Sequence, residues 1–453
     1  MTGNLRRVMT FRHLALFGIT FVTPTAPFPM FGIVSSVSHG HMALAYSIAL
    51  GAMVLTAISY GRMAGAFPNA GSAYSYTRRT IHPLAGFLTG WTLLLDYVLL
   101  PLMSVIYLAL TAARFLPTVP YGVWLVSFAA LTTGLNLFGL KITNRANVIM
   151  TGLMTAVVAA FFALAAVALR AGAGEGVLLS SKPFYNPAEF DVSRVMAASA
   201  IAGFSFLGFD GISTLAEDAR DPRRDIGRAT IAVCLLCGAL FIAQAYLGQL
   251  AWPDFRSFPQ VDTAFLDLSQ RIGGHPFLAV VSFILVVAGL ASAISGQVSA
   301  ARLLLGMERD RTLPTRIFTY IHPTYSTPSY GILAMGLVTM AGGFVFSFQL
   351  AAEAINFGAL LGFMGVNLSV IAHYYIRGQN RGATGIAANL LMPGAGVLVC
   401  LYLFLNLSMS AKTIGAIWCA LGGVYLVWRT RGFQQPLPEL ASEPVKEPSQ
   451  LNR

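Results

Sequence analysis

The chain has 453 residues, of which 56% are hydrophobic and only 10% charged, whereas a soluble domain carries about a quarter charged residues. A water-soluble fold is excluded. A net charge of +11 would suit nucleic acid if the basic residues formed one patch, but they sit between apolar runs, so the lipid bilayer is the expected partner and nucleic acid is not.

Arg6, Arg7 and Arg12 lead straight into a long apolar stretch with no small-residue cleavage site, so the first segment is expected to stay rather than be removed as a signal peptide. A bilayer core of about 30 Å takes about 20 helical residues. Twelve such runs follow, here called segments 1 to 12, with cores at 13–36, 42–66, 83–112, 120–140, 146–170, 195–218, 229–252, 275–304, 329–349, 351–376, 387–407 and 412–429. The connections at 171–194 and 253–274 are too short to hold a soluble domain. Lys and Arg cluster on one side of these spans. With the N-terminus inside, only Arg114, Arg170, Lys182, Arg194, Arg256, Arg271 and Lys412 fall outside, which places both termini in the cytoplasm of a cell membrane. The tail at 430–453, rich in Pro and Glu, has little to bury and is expected to be disordered.

Two segments carry helix-breaking residues: the prolines of segment 1 argue for unwinding over a simple kink, and the glycines of segment 6 either break the helix or serve packing alone. Segment 1 reads ITFVTPTAPFPMFGIVSS, with Pro24, Pro27 and Pro29 close together and Gly32 beyond. Each proline lacks an N–H and clashes with the preceding turn. Unwound backbone at membrane depth survives only where protein or a water-filled cavity satisfies the freed groups. Segment 6 reads IAGFSFLGFDGISTLAED, with Gly203, Gly208 and Gly211 around Asp210. Segments 1 and 6 are five apart, and an odd number of spans per repeat inserts the second repeat upside down. Interrupted segments at matching places of inverted halves point to a secondary transporter with a site near the bilayer midplane.

Several runs in this order resemble bacterial permeases of the amino acid, polyamine and organocation (APC) superfamily, and within it the putrescine importers: FGIVSSVSHGH (31–41), SYGRMAGAFPNAGSAYSYTRR (59–79), GWTLLLDY (90–97), FSFLGFDGISTLAED (204–218), INFGAL (355–360) and VNLSV (366–370). The resemblance implies an all-α polytopic membrane protein of twelve helices with a five-plus-five inverted repeat and broken helices 1 and 6. The repeats would be 13–170 and 195–376, flanked by a cytoplasmic N-terminus at 1–12 and helices 11 and 12 at 387–429. It also implies alternating access and import driven by an ion gradient, commonly of protons. Some relatives carry a lysine in segment 5 in place of a sodium ion; this chain has none within that segment, which leaves the coupling ion open.

The polar residues of these spans supply the candidate substrate site. Asp96 lies thirteen residues after Pro83, about 20 Å along a helix and near mid-bilayer. A carboxylate there faces a cavity or a partner, an ammonium being the natural one, or else is hydrogen-bonded to helix backbone, Tyr97 or Tyr107. Asp210 stands where segment 6 should restart, so it is expected to cap the second half-helix, a role compatible with binding an amine or moving a proton. Glu217 is a gate or proton candidate, with interfacial solvation as the alternative. The first break offers Thr23, Thr25, Ala26, Phe28, Phe31 and Gly32, and the second Phe204, Ser205, Phe206, Gly208 and Phe209. Their rings can hold a cation against the π face or simply pack, and their carbonyls are free to accept. Tyr97, Ser292 and Ser295 complete the set. Glu353, at the start of segment 10, is expected at the outer interface, and His39 and His41 on the outer surface. The mixed loop of Arg220, Asp221, Arg223, Arg224 and Asp225 is either solvated or a salt-bridged inner gate.

No HExxH, phosphate loop or His/Cys/Asp cluster supports an enzyme, no cofactor or metal is implied, and the CxxC of Cys234 and Cys237 reads as helix packing. A channel would want a continuous polar path, whereas the polar residues converge on the middle. The expected function is import of an amino acid or small organic amine by proton symport, with a putrescine or polyamine importer as the alternative and an amine/amino acid exchanger as a further one. The oligomeric state is left open. One departure bears on substrate: putrescine importers of the resembled group read FDTFGI where this chain reads FPMFGI, so Pro29 replaces an acid that would anchor one end of a diamine.

Overall fold

The structure, a computed structural model, describes residues 9–68, 72–139, 144–216, 218–309, 317–318, 320–325, 327–379, 382–432 and 434. Among them every regular element is helical. Nine helices are long and apolar enough to cross a membrane, or ten if Phe11–Val22 and Pro27–Val37 count as one span bent by 56°. Two shorter apolar helices, Tyr121–Leu137 and Ser329–Gly342, stand at segments 4 and 9. Glu217, Lys141 and nearly all of the expected tail lie outside the described residues.

Local chemistry sets many of the helix ends. Proline opens Pro27–Val37, Pro83–Phe115 and Pro222–Ala251 at a position where its missing N–H costs nothing. Ser347 and Ser408 cap the helices of segments 10 and 12, accepting from Leu350 N–H at 3.1 Å and Ala411 N–H at 3.2 Å. Small residues set the crossings: a Cβ on Gly61 would meet the Gly227 backbone at 2.6 Å, so segments 2 and 7 can touch only as glycine on glycine.

Packing follows a regular scheme. Segment 2 (Met42–Ala66) lies along segment 7 (Pro222–Ala251), segment 3 (Pro83–Phe115) along segments 8 (Ala264–Arg309) and 10 (Phe348–Val370), and segment 4 against segment 9. The first half of segment 1 packs on segment 7, and the first half of segment 6 (Val192–Ala202) on segment 2. Segments 11 and 12 lean on segment 10 from outside this set.

Three readings need correction. Segment 8 begins earlier than expected: residues from Ala264 are helical, with a kink at Gly274 (φ 66°), and bury Phe265, Leu266 and Leu268. Their charged neighbours hid this helix in the sequence, yet Asp267 is neutralised by an ion pair with Arg114 at 2.5 Å. Glu353 is buried rather than interfacial, accepting from Gln349 Nε2 at 2.9 Å and Ser408 N–H at 2.8 Å, and so ties segment 10 to segment 12. His41 is fully buried, with Nε2 accepting from Asn186 N–H at 3.0 Å, because the 171–191 connection folds down over the end of segment 1.

Candidate substrate site

The first break begins where Phe11–Val22 stops at Thr23, whose φ of 60° no helix tolerates. Ala26 N–H donates to Thr23 O at 3.1 Å, closing a tight turn before the second half-helix starts at Pro27. The turn frees carbonyls, and one is claimed at once: Gln244 of segment 7 donates Nε2 to Pro24 O at 3.0 Å. Thr25 is buried at this turn.

Beyond the turn the second half-helix packs on the first half of segment 6 and on the start of segment 8. Phe28 stacks on Phe265 with centroids 3.7 Å apart and meets Phe161 edge-on at 5.6 Å. Phe31 lies against Phe258 and Phe265, and Gly32 presses so closely on Val261 O and Ala264 that no side chain would fit. These three residues, read from the sequence as part of the site, sit in the contact between segment 1 and the start of segment 8.

In the second break Val192–Ala202 gives way to a tighter 3-10 turn at Gly203–Phe206, a left-handed Gly208 (φ 111°), and a second 3-10 helix at Phe209–Leu215. Asn356 of segment 10 donates Nδ2 to Ala200 O at 2.9 Å and Ile201 O at 3.4 Å, supplying carbonyls that lose their helical donors. Ser205 bonds the Tyr46 hydroxyl at 3.0 Å, and Phe206 packs with Tyr46 and Phe241. Phe209 is enclosed by Tyr60 and Phe363, while Phe204 stays partly buried. Gly208 lies hard against Phe21, so the two breaks touch here.

Asp210 differs from the expected cap. Gly208 occupies the N-cap position, Asp210 falls in the first turn, and its carboxylate reaches back to accept from Gly208 N–H at 3.3 Å. The half-helix it was expected to cap is of the 3-10 type, so the cap geometry of an α-helix is not formed.

From segment 3, Asp96 comes within electrostatic range of Asp210, and Tyr97 lies within range of both. Asp96 is partly buried and has no hydrogen-bond or ion-pair partner among the described residues. Tyr107, one of its two candidate tyrosine partners, packs instead on Phe348 at 5.2 Å. Pro101, four residues beyond Tyr97, has no N–H to give to the Tyr97 carbonyl, which adds an acceptor beside the two acids. Ser292 accepts from Ser104 at 3.1 Å, joining segments 8 and 3, and Ser295 is exposed on the outside of its helix.

The structure thus places Gly208 against Phe21 and Asp210 two residues on, with Asp96 and Tyr97 within electrostatic range of Asp210. It spreads the remaining aromatic and hydroxyl candidates into the walls. Gln244 and Asn356 were missed from sequence; the signal was an uncharged amide in a run otherwise almost wholly apolar.

Two closures flank this level. At one end Met9 pairs with Ala219: Met9 N–H donates to Asp218 O at 3.0 Å and Arg220 N–H to Met9 O at 2.9 Å. Among the described residues no ion pair joins Arg220, Asp221, Arg223, Arg224 or Asp225, so backbone, not a salt bridge, makes this contact. On the expected outer side Arg256 grips Glu189 with oxygens at 2.7 and 2.9 Å. His39 stands 3.5 Å from Glu189 and 2.8 Å from Arg194, stacked on Phe255 at 4.9 Å.

The family model for amino acid permeases matches residues 13–424. The low-affinity putrescine importer PlaP of Escherichia coli (strain K12) is 34% identical over 437 residues, covering 96% of both chains. The branched-chain amino acid permease BcaP of Bacillus subtilis (strain 168) is 27% identical over 92% of both. The vacuolar cationic amino acid transporter 2 of Arabidopsis thaliana is 27% identical over 82% of this chain and 60% of its own.

Proposed function

We infer, from the premise that this chain belongs to the amino acid permease family, that it imports a small organic amine or an amino acid by proton-coupled alternating access. The chain is a transporter and not an enzyme, as its relatives are. The observation that carries the substrate reading is the approach of Asp96 to Asp210 at a helix break, with Asp96 unpaired among the described residues. Two carboxylates at membrane depth are costly unless a cation offsets them, and a substrate ammonium is the cation a carrier can pick up and release. Asp210 and Glu217 are the candidates for carrying the coupled proton.

A twelve-span, five-plus-five inverted architecture, with the repeats at 13–170 and 195–376, both termini cytoplasmic and the membrane that of a bacterial cell, completes the reading. The packing scheme supports it. Exchanging each of segments 1 to 5 for its counterpart five later turns the contact of 1 with 7 into that of 6 with 2, and 3 with 10 into 8 with 5. Polar contacts follow the same exchange: segment 7 holds the first break through Gln244, and segment 2 holds the second through Tyr46. In such a carrier the two halves rock about the midplane, and the Met9–Ala219 bridge and the His39–Glu189–Arg256 cluster open in turn.

Pro29 in place of an acid favours a substrate with one ammonium over a diamine. Putrescine is the second reading, favoured by the likeness to PlaP over nearly the whole chain. Uptake into proteoliposomes, with competition by putrescine, spermidine and a panel of amino acids, tests both. Amines or amino acids should enter and compete, and collapsing the proton gradient should stop accumulation. Selective competition by putrescine alone decides for the second reading; no uptake of any of them overturns the proposal.

A further inference from the structure

We propose that Gln244 is a substrate-binding residue, its side-chain oxygen taking an N–H of the substrate's ammonium group at the break in segment 1. Gln244 is 3% exposed in the second half of segment 7. Its partner, Pro24 O, is a carbonyl and only accepts, so the amide is fixed with Nε2 towards the break. Oε1 is then an acceptor, buried and without a partner among the described residues. A vacant buried acceptor loses its hydration with no return, so such positions are rarely kept unless something else fills them. The contrast lies five residues on: Gln249, equally buried, accepts from Ser35 at 3.0 Å and donates to Pro253 O at 3.2 Å, both ends of its amide spoken for.

Chemistry limits what can fill the vacancy. A pure acceptor takes a donor, which excludes a substrate carboxylate and suits a primary ammonium, which carries several N–H groups. Asn136 also leaves an oxygen unpaired, but its amide is bound to Ile294 O and Gln297 in the contact of segment 4 with segment 8, away from either break. Gln244 would therefore read the number of N–H groups on the substrate, and set primary amines apart from methylated ones.

The inference rests on the amine reading above, and the test keeps the two apart. Equilibrium binding to the purified full chain is measured with two pairs of probes: putrescine with its fully N-methylated bis(trimethylammonium) twin, and L-leucine with its N-trimethyl betaine. The quantity read is the ratio of methylated to primary dissociation constants, in wild type, Q244M and Q244E. Q244M keeps the volume and removes the acceptor, so for the pair that binds, the ratio should fall at least about tenfold. Q244E keeps an acceptor while losing the donor to Pro24, and the ratio should stay within about threefold of wild type. If Gln244 serves only to hold Pro24, both variants weaken primary and methylated probes alike and the ratio is unchanged in Q244M, which overturns the inference. Should Q244M not fold, Q244L, which also removes the acceptor, takes its place: a ratio lowered at least about tenfold supports the inference and an unchanged ratio overturns it. If wild type binds none of the four probes, the functional reading falls and this inference with it.

Discussion

Replacing Gly208 by alanine should disable the carrier at the point where its two breaks touch. Two costs add. The backbone at Gly208 has φ 111°, outside the range of an L side chain, and forcing alanine there costs about 1–2 kcal/mol. A Cβ would also stand 2.6 Å from the Phe21 ring and 3.1 Å from the Phe21 backbone. The ring can turn away, but the backbone can move only with the end of the first half-helix. A total of about 1–3 kcal/mol follows, the range for a residue held in a disallowed conformation, or about 5- to 100-fold in the occupancy of the binding-competent arrangement. Gly211→Ala is the control, since a Cβ there would meet the same ring at 3.4 Å, an ordinary contact, with no positive φ. The assay is substrate affinity and thermal unfolding of both variants in the same detergent. Gly208→Ala should lose affinity or stability by that amount, Gly211→Ala should lose little, and Gly208→Asn, better tolerated at positive φ, should fall between. Equal behaviour of the two alanine variants would refute the reasoning.

Two further outcomes follow from the walls and the outer rim. Phe28→Ala removes a ring packed between Phe161 and Phe265; it should destabilise the fold by about 3–5 kcal/mol while changing the affinity of the surviving folded protein little, and a selective loss of affinity would return Phe28 to the site. The outer cluster should loosen in acid. The Arg256 hydrogen bond holds the Glu189 carboxyl below its usual range, so its contribution is present above the ordinary carboxylate pKa and is lost as pH falls through the lowered value. Burial, and then Arg194, hold His39 below the usual imidazole value despite Glu189, so its protonation on acidification also works against the closed cluster. Hydrogen-exchange protection over residues 183–194 should drop between pH 7 and about pH 4, and a rise would contradict this sign.

What could be read from the sequence was mostly what one segment decides by itself. Three prolines within six residues break a helix wherever it is placed, and the structure bends segment 1 by 56° there. Gly208 supplied the conformational freedom, but whether the chain resumes as an α-helix or a 3-10 helix depends on packing against Tyr60 and Phe363, which lie far away in sequence. The same limit hid the helix at Ala264, because Asp262, Asp267 and Arg271 break the apolar run and the neutralising partner, Arg114, belongs to segment 3. Within the candidate site, Asp96 and Asp210 stood out by cost alone, one charge in a long apolar run. Their mutual approach, and the service of Gln244 and Asn356 to the freed carbonyls, are contacts between segments that no local pattern encodes. Phe28 and Phe31 entered the candidate site by nearness in sequence to the break; their ring contacts with Phe161, Phe258 and Phe265 join distant segments and have no local signature.

The central claim is that the carboxylate of Asp96 holds the substrate's cationic group beside Asp210, and it is tested most directly by equilibrium binding of putrescine and L-leucine to wild type and Asp96→Asn. The amide keeps the shape of the side chain and removes the charge. For whichever probe the wild type binds, the account predicts a loss of about 10- to 100-fold, the worth of a charge-assisted hydrogen bond, with the thermal unfolding of the variant unchanged or raised. Full affinity in Asp96→Asn would contradict it.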